Sequence, residues 1–151
     1  MSVSVFLACL YCFVGCMGYC LLVNIRGKVM LLACLGSALC WWVYVLCNGL
    51  GSDIFQCFIA TVVVSIYSEI LARKCKAPTT CFQIVSILPL VPGGGIYYTM
   101  EYCINGNIAA FIETGLHTFG VAGSIAIGIL FVSSCVHLMG KIRMASKKTK
   151  A

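Results

Sequence analysis

The run Leu88-Pro-Leu-Val-Pro-Gly-Gly-Gly95 is where this chain departs furthest from a plain apolar helix. Its prolines remove backbone donors and its glycine triplet weakens helical order, so the backbone should break there. A helix restarting near Ile96 would present free N–H groups and the positive end of its dipole, a combination that suits a carboxylate. Pro92, Gly93, Gly94 and Gly95 would let that carboxylate approach the main chain closely. Ile96, Tyr97, Tyr98 and Thr99 follow in the next turn, and the last three bring hydroxyls that can bind a polar solute. These eight residues form a candidate substrate-binding segment. The alternative is a proline kink that only shapes a bundle.

The chain has four acidic residues, so each can be weighed singly. Glu101 lies one turn after Tyr97, placed to carry a coupling proton, to hold a substrate ammonium, or to cap the outer end of its helix. Glu113 and His117 are four apart, the spacing of a proton relay or of a satisfied surface pair. Glu69 precedes Arg73 by four residues, the favourable order for a structural ion pair on one helix. Cys9, Cys12, Cys16 and Cys20 share a helix face, but no histidine or carboxylate accompanies them and thiolates are costly in hydrocarbon. They read as a packing seam, and the sequence implies neither a metal nor a cofactor.

The elements that must position these residues are membrane helices. The 151 residues are 62% hydrophobic and 9% charged, with a mean hydropathy of +1.05. That is too few charges to cover a soluble domain. Apolar runs over about Val3–Val23, Val29–Leu50, Ile54–Ala72 and Ile108–Met139 are each long enough to cross roughly 30 Å of hydrocarbon. Between the last two, the pieces Thr79–Leu88 and Ile96–Ile104 add up to one further crossing. The fold class is therefore all-α integral membrane: a five-helix transmembrane bundle with a broken fourth helix at Pro-Gly-Gly-Gly, spanning residues 1–140, followed by a basic tail over 141–151. Gly120, Ser124 and Gly128 give the last span a face for close helix contact. Trp41 and Trp42 should pack between helices.

The net charge of +6 sits in three clusters: Arg26 with Lys28, Arg73-Lys-Cys-Lys76, and the tail from Lys141 to Lys150. Each flanks an apolar run, the positive-inside pattern rather than a nucleic-acid-binding face. Five crossings put all three clusters in the cytoplasm and the N-terminus outside, whereas a re-entrant hairpin at the break would expose the tail. Many secondary transporters pair two inverted repeats, and an N-out five-helix unit has the orientation of a second repeat.

The runs Tyr67-Ser-Glu-Ile-Leu-Ala-Arg-Lys-Cys-Lys-Ala-Pro-Thr-Thr80 and Leu88-Pro-Leu-Val-Pro-Gly-Gly-Gly-Ile-Tyr-Tyr-Thr-Met100 resemble the threonine/serine exporter family of bacterial membrane proteins. Asn24-Ile-Arg-Gly-Lys28 and Gly106-Asn-Ile-Ala-Ala110 fit the same pattern, so the resemblance covers nearly the whole chain and is closest to the stand-alone subunit matching the C-terminal half of fused exporters. It implies export of threonine or serine, or of a dicarboxylate such as succinate, across a bacterial inner membrane. It also implies a second five-span subunit with a cytoplasmic domain. Other readings are a non-transporting membrane scaffold or a homodimeric efflux protein. No H-E-x-x-H, G-x-S-x-G or paired Asp points to an enzyme.

Overall fold

The computed structural model describes the backbone of residues 2–49 and 51–148, with side chains over 5–49 and 51–141. Within it the chain forms α1 (Ser2–Leu22), α2 (Lys28–Leu46), α3 (Asp53–Cys75), α4 (Thr79–Ile87), a 3-10 turn (Leu88–Leu90), α5 (Gly93–Ile104) and α6 (Ile108–Lys148). No strand occurs among the described residues. Four helices are long and apolar enough to cross a membrane, and a fifth crossing is counted if the bent pair Thr79–Leu90 and Gly93–Ile104 is one span.

The helix ends follow local chemistry. Gly27 takes a positive φ of 72° between α1 and α2, where a side chain would be strained. Lys76 closes α3 in the left-handed region, its N–H bonded to the Ala72 carbonyl in the manner of a helix C-cap. The second span is shorter than expected, ending at Leu46 because Cys47 to Gly49 already turn; Leu50, its expected end, lies outside the described residues. At the other extreme α6 runs on to Lys148 without a backbone break at residue 140, so the basic tail begins as helix, and residues 149–151 lie outside the described residues.

Packing sets the register. His117 of α6 lies against Asp53, Gly120 against the Ile54 side chain, and Gly128 against Thr61 and the Phe58 carbonyl. The two numberings rise together, so α3 and α6 run parallel through the expected small-residue face. Close approach there depends on the missing side chains, since a Cβ at Gly128 would stand 3.1 Å from Thr61. On the other side of α3, α2 and α4 pack together and α1 covers α2. One core joins Cys40, Cys57, Ala60, Val64, Leu90, Val121 and Ile125. The other joins Cys16, Cys20, Ala33, Cys34, Phe82 and Val85. Cys16 and Cys20 of the sequence stripe thus pack as small apolar groups, Cys20 Sγ lying 3.9 Å from Cys34 Sγ. Trp41 is half-buried against Tyr44, ring centroids 5.4 Å apart, but Trp42 is 51% exposed and faces out of the bundle, contrary to the expectation from its mid-span position.

Candidate substrate-binding segment

The break falls at Val91-Pro92, inside the run Leu88–Gly95, and the helix restarts three residues earlier than the sequence suggests. Helix α5 starts at Gly93 rather than near Ile96, because first-turn amides have no intrahelical acceptor in any case and Pro92, at the cap with φ −77°, costs nothing there. The three glycines therefore form the first helical turn. The Ile96 N–H bonds to the Pro92 carbonyl at 3.1 Å and that of Gly93 to Val91 at 2.7 Å, while those of Gly94 and Gly95 have no backbone acceptor among the described residues. Side chains added at Gly93 or Gly94 would meet nothing within 4 Å, whereas one at Gly95 would strike the Thr118 hydroxyl. The free amides and the open approach both lie at Gly94.

The flanking residues divide. Thr99 and Thr118 turn their hydroxyls back onto their own helices, 2.7 Å from the Gly95 and Thr114 carbonyls. Tyr97 and Tyr98 stack edge to face at 5.5 Å and are more than half exposed. Between α5 and α6 opens a groove of about 660 Å³, lined by Val91, Pro92, Ile96, Met100, Phe111 and Phe119 among others, and almost wholly apolar. Helix α5 buries no residue and rests on α6.

The segment sits high in the bundle. Gly95 lies against Thr118 and Gly115 against Thr99, so α5 runs antiparallel to the start of α6, and the residues around Thr118 are level with the first turn of α3. The break is thus at the rim of the α1–α3 bundle, not at its middle. Glu101 and Glu113 are exposed beyond that rim. His117 does not pair with Glu113 among the described residues; its Nε2 stands 3.7 Å from Asp53 Oδ2, with both side chains about half exposed. The parallel α3–α6 packing brings Asp53 to it across the interface. Nor does Glu69 join Arg73 in an ion pair among the described residues. Both line a small cleft with Ile66, Ile70, Val136 and Met139, and the exposed guanidinium is free to seek water or lipid headgroups instead.

A second polar concentration lies deeper. Tyr67 donates from its hydroxyl to the Leu32 carbonyl at 2.9 Å, Ser86 to that of Ala33 at 3.2 Å, and the Gln83 amide to Ser65 Oγ at 3.4 Å. Ser86 and the Tyr67 ring crowd the space over Gly36, which no side chain could share. Ser68 is fully buried and its Oγ has no partner among the described residues; the same holds for Oε1 of Gln56, nearer the rim, whose amide reaches the Gly51 carbonyl at 3.3 Å.

A family model described as Threonine/Serine exporter, ThrE, matches residues 8–135. The chain belongs to the threonine/serine exporter family. The match runs from α1 through the first two thirds of α6, so the broken segment and the deeper polar residues are both parts of an exporter-family, multi-pass membrane chain. No curated protein matches it, and no solved structure does. Sequence reasoning does not single out Gly36, Gln56, Gln83 and Ser86. Their signal in the sequence is faint, since a single serine or glutamine in an apolar run carries no periodicity. A hydroxyl or amide in each of several neighbouring spans was the available clue.

Proposed function

We propose that this chain is one half of a secondary exporter that moves small carboxylate-bearing metabolites, threonine or serine or a dicarboxylate such as succinate, out of a bacterial cell together with a second five-span subunit that bears a cytoplasmic domain. Family membership supplies the transport reading. The observation that carries the half-transporter reading is the parallel run of α3 and α6. For α6 to start at the same end as α3, the segment 79–104 must bring the chain back across the bundle, and its bend of 53° is far from the reversal that a re-entrant hairpin needs. Five crossings leave an unpaired repeat, and inverted repeats in transporters come in twos. The uncovered flank of α5 beside an apolar groove fits a neighbour of the same kind. On this reading Pro92 to Thr99 form a carboxylate station at the outer mouth, served by the Gly94 and Gly95 amides, and Glu101, Glu113 and His117 are the candidates for proton or ion coupling there.

The test is export of L-serine, L-threonine and succinate from preloaded cells expressing this chain, the second subunit, or both. Export only with both subunits is expected. Robust flux from this chain reconstituted alone would overturn the half-transporter reading in favour of a homo-oligomer.

A further inference from the structure

The polar groups between α2, α3 and α4 are gathered at one depth. Ser65 is at the middle of the 23-residue α3, Gly36 and Ser37 at the middle of the 19-residue α2, and Gln83 at the middle of α4. With α2 and α3 as spans, the middle of each is at the bilayer midplane, and the contact to Ser65 puts Gln83 at the same depth. There a polar side chain has no water to fall back on and is retained for function more often than for stability. Two hydroxyls on these helices are neutralised locally: Ser37 and Thr61 each donate to a carbonyl one turn back, at 2.7 Å. Ser68 is not. It lies three residues from Ser65 on the same buried face of α3, with no exposure and no partner among the described residues. A buried hydroxyl left unpaired lowers stability, and alanine in its place would avoid that penalty.

We propose that this seam is the closed substrate site of the exporter half, and that Ser65, Ser68, Gln83 and Ser86 hold the solute when α4 parts from α2 and α3. The inference rests on the exporter reading above and adds the place and chemistry of binding. The seam suits such parting. Beside its apolar packing, α4 is tied to its neighbours by one hydroxyl-to-carbonyl bond to α2 and one long amide-to-hydroxyl contact to α3, each of a kind that a solute's own polar groups can replace. Its lining decides the class of solute. Hydroxyls and a primary amide both donate and accept, but no charged side chain is among them. A dianion would enter without a counter-charge, whereas the opposite charges of a zwitterion largely cancel at a distance. The seam therefore fits a small, net-neutral, hydrogen-bonding solute.

Two measurements on the full chain with its second subunit test this. Ser68→Ala and Gln83→Leu are scored for the thermal midpoint of the purified protein and for export of L-serine and succinate. The midpoint of Ser68→Ala should equal or exceed that of the wild type, while serine export in both variants falls by roughly tenfold or more. Serine export within about twofold of the wild type in the Ser68→Ala variant would overturn the proposal. Independently of any flux, Ser68→Cys in a chain whose native cysteines are replaced is treated with N-ethylmaleimide. Slow labelling that L-serine retards and succinate does not is expected. A Ser68→Cys thiol that reacts only after denaturation means the seam never opens and ends the idea even if export is real. Retardation by succinate but not by L-serine would overturn the assigned solute class. Serine-protected labelling in a chain that exports nothing would sustain the site while removing the exporter reading on which it was built.

Discussion

At Gly36 the absence of a side chain lets α2 sit against both the Ser86 hydroxyl and the Tyr67 ring. Gly36→Ala would drive a methyl into Ser86, and overpacking of this kind costs about 1–3 kcal/mol. Its thermal midpoint should fall by several degrees, and Ser86→Gly in the same chain should recover much of the loss by removing the colliding atoms. An unchanged midpoint in the single variant would mean that the seam is looser than the contacts indicate. Gly94 is the opposite case, because a side chain there meets nothing within 4 Å. Gly94→Val should fold and insert as the wild type does, yet lose export, because the branched side chain would shield the free amides of the first α5 turn. Export at the wild-type rate with Gly94→Val would reduce the segment to a bend in the chain. One glycine is therefore needed for packing and the other, on this reading, for access, a difference that the shared residue type conceals.

Helix by helix, much of the fold was legible because apolar runs and their terminators are local signals. Arg26-Gly-Lys28 and Arg73-Lys-Cys-Lys76 mark ends that α2 and α3 respect to within a few residues. The broken segment was legible in kind, since prolines and glycines in an apolar run have few other uses, but its restart was misplaced by three residues. Glycine's low helix propensity applies to helix interiors and loses its force in a first turn whose amides are unpaired anyway. Neither the Asp53–His117 contact nor the α2–α3–α4 seam was legible, because each joins residues from different helices whose register the sequence does not state. The α3–α6 register makes a separate prediction. Gly128→Leu would push against Thr61 and the Phe58 carbonyl and should lower stability by about 1–3 kcal/mol, whereas Gly123→Leu, on the same helix with nothing within 4 Å, should be nearly neutral. Equal effects of the two in thermal denaturation would refute the parallel packing.

At the scale of the whole molecule, charge and direction point the same way. Helix α2 starts at Lys28 beside Arg26, and the Tyr67–Leu32 bond places that start near the end of α3 that carries Arg73, Lys74 and Lys76. Because α6 runs parallel to α3, Lys141 emerges at this end as well, while Asp53, Glu101 and Glu113 all lie towards the other. The basic residues thus gather at one pole of the bundle and most of the acidic ones at the opposite pole. Positive charge near span ends is retained in the cytoplasm, so the C-terminus should be cytoplasmic and the α5–α6 turn at Asn105–Asn107 external. The length of α6 fits this orientation: 41 residues rise roughly 60 Å, twice the hydrocarbon thickness, so the helix must project beyond the membrane, and its basic end can do so into water. An epitope tag inserted at the Asn105–Asn107 turn should bind antibody on intact cells, and the same tag at the C-terminus should bind only after permeabilisation. If the C-terminal tag is reached from outside, the chain crosses an even number of times or inserts the other way up, and the half-transporter reading loses the inverted orientation on which it depends.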